Sequence, residues 1–244
     1  MFPERGGRYD ATVLRAILFD FNGILVDDEP IHFELFRKVL VEEGFELSEE
    51  DYYDKYLGYD DRGCFTAVLE SAGVELTPDR LSRLIARKAA YYQARIHEQG
   101  FPFFDGAERL LREVAGDGIM LGVVSGALQD EVEGALEQVG LRPSFKVLVT
   151  AEDVTAGKPD PEGYRRGLEL LNALPPLPPR LIHPHEVLAV EDSPAGLAAA
   201  ASTGLTTLGV AQTYSATELG QADRVVGALR DVNLPWLRSW LDSG

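Results

Sequence analysis

The sequence predicts an α/β protein: a doubly wound parallel sheet of Rossmann-like type with an α-helical cap domain inserted after the first strand. Three observations lead there. Five short apolar runs are continuous rather than alternating, the pattern of strands buried on both faces. Helix-like segments separate the later runs, giving strand–helix alternation. Residues 20–119, between the first and second runs, carry helical patterning instead. The expected division is a core of residues 1–30 and 101–244 and a cap of residues 31–100.

The runs are Ala16–Phe19, Met120–Val124, Val147–Val149, Val187–Val190 and Thr206–Val210. Between them, Leu128–Val139 stops at Gly140, Pro161–Leu171 opens on a helix-compatible proline, and the Ala-rich Pro194–Thr203 stops at Gly204. In the insert, Pro30 suits the first turn of a helix, with Asp27, Asp28 and Glu29 at its positive end. Ile31, Leu35, Val39 and Leu40 give that helix an apolar face, and Gly44 ends it. Ser48 with Asp51 reads as a capping box for a second helix ending near Gly58. Asp61–Ser71 makes a third, and Thr77-Pro78 opens a fourth. Both ends of the insert return to the carboxyl edge of the sheet, the place for a lid. Leu174–Arg180 (LPPLPPR) reads as a stiff surface connection, and Trp236 and Trp240, four apart, as one face of a docking helix.

Lys and Arg number 23 against 40 Asp and Glu, a formal charge of −17. Such a chain repels nucleic acid and anionic lipid over most of its surface, so an anionic substrate needs positive charge supplied locally. The single cysteine, Cys64, excludes an intrachain disulfide and a cysteine zinc site. No stretch has the roughly 18 apolar residues of a membrane helix, and Met1–Asp10 lacks an apolar signal core, which points to a cytoplasmic protein.

In open α/β sheets, ligands bind beyond the carboxyl ends of the strands. Here the first run ends in Asp20, the second in Ser125-Gly126 and the fourth in Glu191-Asp192, while the third leads to Lys158. Clustered carboxylates repel one another unless a cation holds them, and all-oxygen ligation suits Mg²⁺. With Lys158 it would offset the negative field where a phosphate sits; Ser125 and nearby amides could donate to phosphate oxygens. A carboxylate such as Asp20, held beside a phosphoryl group, can attack it to give an aspartyl-phosphate.

Asp20-Phe21-Asn22-Gly23-Ile24-Leu25-Val26-Asp27 resembles the first motif of the haloacid dehalogenase superfamily, DxDGTLxD. Val123-Val124-Ser125-Gly126, Gly157-Lys158-Pro159-Asp160-Pro161 and Glu191-Asp192-Ser193-Pro194-Ala195-Gly196 are similar to its second, third and fourth. The subgroup resembled contains β-phosphoglucomutase and small sugar-phosphate phosphatases, on Glu29-Pro30-Ile31-His32 and on Arg87-Lys88 with Tyr91-Tyr92. The resemblance implies that Asp20 is nucleophile and Mg²⁺ ligand, that the backbone carbonyl of Asn22 is a second ligand, and that Asp192 binds the metal directly and Glu191 directly or through water. It implies phosphate binding by Ser125, Gly126 and Lys158, and substrate contacts from His32 and Lys88 in the cap, where Lys88 and Arg62 also read as solvated helix charges. Arg62 is one place removed from the cap arginine of the mutases.

The family's phosphatases and mutases carry Asp two residues after the nucleophile; here it is Asn22. An amide can orient water but cannot exchange a proton at neutral pH, and general acid–base catalysis is typically worth about 10²–10⁴-fold. The reading is a Mg²⁺-dependent phosphatase of a small phosphorylated metabolite, slowed at Asn22 or using another proton donor such as His32, Asp27 or Asp28, and a monomer or weak dimer. Its alternatives are phosphotransfer of the β-phosphoglucomutase kind, C–P cleavage of the phosphonoacetaldehyde-hydrolase kind with Lys55 as Schiff-base lysine, and a catalytically impaired binder of phosphate ligands. Asn22-Gly23 is also a deamidation sequence, whose conversion would create the missing Asp.

Overall fold

The structure, a computed structural model, describes residues 14–243. The expectation made for Met1–Asp10 lies outside them. The chain forms two compact units: one runs to Asp27 and resumes at Pro102, and the other is Asp28–Phe101. Asp28, Glu29 and Pro30 thus fall in the second unit, where the first helix begins at Glu29.

Among the described residues, the first unit holds six parallel strands: β1 (Ala16–Phe19), β2 (Met120–Val124), β3 (Phe145–Val149), β4 (Val187–Glu191), β5 (Thr206–Val210) and β6 (Arg224–Val226), in the order β3-β2-β1-β4-β5-β6. The chain moves outward from β1 in one direction and then in the other, so β1 lies at the point where the order reverses. Phe19 is in register with Val123 on one side and Val190 on the other, which brings the ends of β1, β2 and β4 level. Ala16, Leu18, Val124, Val147, Val149 and Ala189 form one buried cluster with Tyr164, Leu171, Ala199 and Ala200 from the helices on that face. Side chains of opposite parity, Ile17, Phe19, Leu121 and Val123, are equally buried, so both faces are covered.

Among the described residues, five helices in the first unit complement the sheet; four helices, α1 (Glu29–Glu42), α2 (Glu49–Asp51), α3 (Asp61–Ser71) and α4 (Pro78–Gln99), make the second unit with its own core of Phe33, Phe36, Leu40, Phe65, Leu69 and Leu84. The rest are α5 (Ala107–Gly116), α6 (Gln129–Gln138), α7 (Glu162–Ala173), α8 (Pro194–Ser202) and α9 (Leu234–Leu241). Side-chain caps set several starts: Asp60 accepts from the Gly63 amide at 2.7 Å, Thr77 from Arg80 at 3.3 Å and Ser193 from Gly196 at 3.1 Å.

Three expectations need correction. The helix expected from Ser48 to near Gly58 is only one turn, α2, followed by a wider π turn over Tyr52–Tyr56. Tyr52 is drawn into the core, its ring centroid 5.3 Å from Phe33 and 5.8 Å from Phe36 and its hydroxyl donating to Glu29 at 2.6 Å; the backbone widens where this aromatic anchor takes over from the helix ladder. Strand β6 was unforeseen, being three residues long, at the sheet edge and exposed at Arg224. On α9 the buried contacts come from Leu234 and Leu237, while Trp236 and Trp240 stand half-buried against each other at 5.7 Å.

The segment after α7 is tied to the sheet by Lys146, whose ammonium donates to the carbonyls of Leu171 at 2.8 Å and Pro176 at 2.9 Å. At the other end of the molecule's first strand, the segments flanking Asp28–Phe101 are joined to each other. The Asp27 amide donates to the Pro102 carbonyl at 2.7 Å, Phe104 donates to Leu25 at 3.0 Å, and Val26 and Phe103 form an antiparallel bridge.

Candidate active site

Asp20 follows β1, and its amide donates to the Val190 carbonyl at 2.9 Å, extending the ladder onto the functional residue itself. Glu191 ends β4 and Asp192 follows it. One carboxylate oxygen from each of Asp20, Glu191 and Asp192 lies within 4.8 Å of the others, and all three residues are buried. Lys158 reaches this cluster from the loop before α7, its ammonium 2.7 Å from Asp20 Oδ1 and 2.5 Å from Glu191 Oε1. That loop is fastened by Glu162, which accepts from the amides of Thr155 at 3.0 Å and Ala156 at 2.9 Å. Asp160 accepts from the Glu162 amide at 2.9 Å, so it caps α7.

Electrostatics follow from burial and crowding. Burial raises the Asp20 carboxyl far above the usual carboxylate range, and the Glu191 charge adds to the rise; Lys158 only partly offsets it. Burial followed by Glu191 likewise raises Asp192, against a hydrogen bond from Thr213. Burial works against the charge on Lys158, but Asp20 and Glu191 outweigh it and hold the ammonium firmly protonated. Three carboxylates against one ammonium leave a local excess of negative charge with only oxygen donors. That set fits a hard divalent cation such as Mg²⁺, with Asp20, Asp192 and Glu191 as candidate ligands.

The turn after Asp20 is shaped for close approach. Gly23 has φ +78°, and a Cβ there would lie 1.9 Å from Asp192 Oδ2 and 2.8 Å from the Thr213 hydroxyl; only glycine fits. Its amide donates to the Val26 carbonyl at 3.0 Å, and its carbonyl accepts from the Gln212 side chain at 2.8 Å. Asn22, half-buried, pairs with Val26 in an isolated bridge within this turn. The amide nitrogen that deamidation needs as nucleophile is therefore engaged.

Ser125 follows β2, held by its amide to Val149 at 2.9 Å; its hydroxyl accepts from the Ala127 amide at 3.0 Å. Gly126 beside it is exposed, with open space where a side chain would be. The structure thus gathers Asp20, Lys158, Glu191 and Asp192 directly and puts Ser125 and Gly126 at the end of the neighbouring strand.

His32 and Lys88 belong to the second unit, where they bind each other. Lys88 is buried, contrary to its reading as a solvated helix charge: its ammonium lies 2.5 Å from Asp61 Oδ1, 2.7 Å from His32 Nδ1 and 4.1 Å from the centre of the Phe36 ring. An ammonium has only donors, so Nδ1 accepts, and Nε2–H of the neutral ring points to Asp28 Oδ2 at 3.2 Å. Tyr92 donates to the same oxygen at 2.8 Å. Arg62 is exposed. Lys55, also exposed, pairs with Asp51, which raises its pKa, the opposite of what a Schiff-base lysine needs. Cys64 is buried in the second core and is a packing residue.

Four site residues escape motif reasoning: Tyr164, Gln212, Thr213 and Glu162. Each lies outside the four short motifs, and only the folded chain brings it to them. Tyr164 carried a faint signal, standing one helical turn beyond Asp160-Pro161 where a helix start faces the lysine loop.

A family model for haloacid dehalogenase-like hydrolases matches residues 17–210. The validoxylamine A 7'-phosphate phosphatase of Streptomyces hygroscopicus subsp. limoneus is 30% identical over 222 residues, covering 91% of this chain and 97% of that protein. The phosphorylated carbohydrates phosphatase of Thermotoga maritima is 29% identical over 199 residues, covering 79% and 82%. In fold, the chain resembles the crystal structure of β-phosphoglucomutase from Clostridium difficile, with a TM-score of 0.76 at 21% identity over 95% of this chain and 98% of that one.

Proposed function

This chain belongs to the haloacid dehalogenase-like hydrolase family, and from that premise we propose that it is a Mg²⁺-dependent phosphoric monoester hydrolase of a small phosphorylated metabolite, working through an aspartyl-phosphate on Asp20. The observation that carries the reading is the buried meeting of Asp20, Lys158, Glu191 and Asp192 beyond the carboxyl ends of β1 and β4. Two relatives, one named as a phosphatase of validoxylamine A 7'-phosphate and one of phosphorylated carbohydrates, support the substrate class.

Each residue has a task its position supports. Ser125, Gly126 and Lys158 bind the phosphoryl oxygens, the first two through hydroxyl and amide donors and the last through its charge. Lys158 also offsets the charge of Asp20 as that carboxylate approaches phosphorus. Asp20 attacks phosphorus, and the P–O bond to the leaving group breaks as the Asp20–phosphorus bond forms; the departing oxygen takes its proton from water. Water then attacks phosphorus, the acyl phosphate bond breaks, and inorganic phosphate departs with Asp20 restored. A Mg²⁺ held by Asp20, Asp192, Glu191 and the Asn22 carbonyl would supply charge neutralisation of the phosphoryl oxygens. Asn22 can orient the leaving oxygen or the water but cannot carry the proton, so turnover is slow. His32 is the substrate contact proposed from the second unit, which we read as the lid; Lys88, buried on Asp61, would orient its ring. We read the protein as cytoplasmic and as a monomer or weak dimer.

Asn22 supports a second reading, a binder of phosphate ligands with impaired turnover. One experiment separates the two: phosphate release from a panel of sugar phosphates with Mg²⁺, by wild type, Asn22→Asp and Asp20→Asn. The hydrolase reading expects measurable wild-type turnover, abolished in Asp20→Asn and raised toward about 10²-fold or more in Asn22→Asp. No release by any of the three, together with tight ester binding, establishes the binder.

A further inference from the structure

Tyr164 is the largest fully buried side chain among the described residues and lies against the charged cluster, yet the chemistry above assigns it nothing. Its hydroxyl donates to Glu191 Oε1 at 2.6 Å, the oxygen that also receives the Lys158 ammonium at 2.5 Å. The other oxygen of Glu191 accepts from the Ser193 hydroxyl at 3.3 Å. Beneath the carboxylate, a Cβ on Gly196 would lie 2.1 Å from its carbon and both oxygens, so α8 leaves just enough room for the group in this orientation. The Lys158 ammonium stands 5.5 Å from the centre of the Tyr164 ring.

These contacts form a chain with one direction of support. Tyr164 rises from α7, which is packed on the sheet through Leu171 and its neighbours, so its hydroxyl is a fixed point. A lysine side chain has many rotamers, and holding one conformer costs entropy unless its head is tied. Glu191 ties it, provided that the carboxylate itself cannot rotate. Ser193, Gly196 and Tyr164 prevent that rotation. Lys158 is then presented to Asp20 at 2.7 Å.

Resting on the reading of Lys158 as a catalytic group, we propose that Tyr164 is a positioning residue: its hydroxyl fixes the Glu191 carboxylate so that Lys158 is aimed at Asp20 and the transferring phosphoryl group. Such a residue contributes where geometry is most demanding, in the trigonal-bipyramidal transition state, and little to ground-state phosphate binding.

The test uses Tyr164→Phe, which keeps the ring and its packing, and Glu191→Gln. Binding to the Mg²⁺-loaded protein is measured by calorimetry with two probes, orthovanadate as transition-state mimic and inorganic phosphate. In Tyr164→Phe, vanadate binding weakens by about tenfold or more, the size expected for one hydrogen bond to a charged group, while phosphate affinity changes by less than about threefold. In turnover assays kcat and kcat/KM fall together with KM nearly constant. The double variant is no worse than Glu191→Gln alone, because the hydroxyl acts through that carboxylate. Unchanged vanadate binding, equal weakening of both probes, or additive effects in the double variant overturns the proposal. Turnover that survives Asp20→Asn, by contrast, overturns the hydrolase reading and leaves the two-probe result to decide the role of Tyr164.

Discussion

Gln212 donates its side-chain amide to the carbonyl of Gly23 at 2.8 Å, across 189 residues of sequence, while its carbonyl oxygen accepts from the Leu229 amide at 2.9 Å. One side chain thus ties the turn after Asp20 to the segment beyond β6. A Gln212→Leu variant leaves two backbone groups without these partners. The expected cost is about 2 kcal/mol of stability, seen in urea unfolding, with a drop in kcat/KM as the turn carrying Asn22 loosens. Wild-type values for both would remove the clamp role.

The Asn22-Gly23 pair should stay an amide. Deamidation requires the Gly23 nitrogen to attack the Asn22 side chain, and that nitrogen donates to Val26 at 3.0 Å. Mass spectrometry of the peptide spanning Phe19–Val26 is expected to show Asn22 intact after weeks of storage of the folded protein, and conversion after unfolding. Rapid conversion in the folded state contradicts this.

Magnesium should stabilise the fold. The three buried carboxylates repel one another without a cation, so ligand linkage predicts a rise of about 2.7 kcal/mol at one hundred times the dissociation constant. Thermal unfolding with and without EDTA measures it. In Asp192→Asn the metal-dependent shift should largely vanish.

The Lys88–Asp61 pair predicts an asymmetry. The Lys88 side chain is 2% exposed and that of Asp61 31%. Removing Asp61 strands a buried ammonium, whereas removing Lys88 leaves a carboxylate that water can reach. Asp61→Ala should cost about 3–5 kcal/mol and Lys88→Met clearly less, by denaturant unfolding. Equal losses would show that the pair acts only through packing.

Glu186 gives a pH dependence with a definite sign. Hydrogen bonds from Arg180, outweighing burial, lower its carboxyl from 4.5 to about 2. A depressed folded-state pKa stabilises the fold above the unfolded value, and the contribution is lost as pH falls from about 4.5 toward 2. Glu186→Gln should therefore lower stability at pH 7 by about 1–2 kcal/mol, with the gap to wild type closing below pH 4. A gap independent of pH would assign the loss to packing.

How much of this was legible beforehand follows from the range of the forces involved. The five long strands were readable because burial on both faces demands unbroken apolar runs, and α3 because Gly73 stops it. Strand β6 was not, because three edge residues owe their conformation to β5. The π turn at Tyr52 was hidden for the same reason, its cause lying in Phe33 and Phe36. At the site, Asp20, Glu191 and Asp192 announced themselves as polar residues closing apolar runs, and Lys158 as the cation of the loop that follows the third. Gln212 and Tyr164 did not, since a lone Gln after a strand or a Tyr within a helix has many ordinary uses. The environment of Lys88 was misjudged because its neutralising partner, Asp61, comes from another helix.

The bridge between Val26 and Phe103, with the Asp27–Pro102 hydrogen bond beside it, means that the polypeptide leaves the sheet and comes back through a single stitched doorway. Whatever hangs beyond that doorway is a cassette. A short hairpin between Asp27 and Pro102 should seal it, and helical modules from related chains should be interchangeable there without recutting the strands, so new specificities can be grafted by exchanging one contiguous stretch.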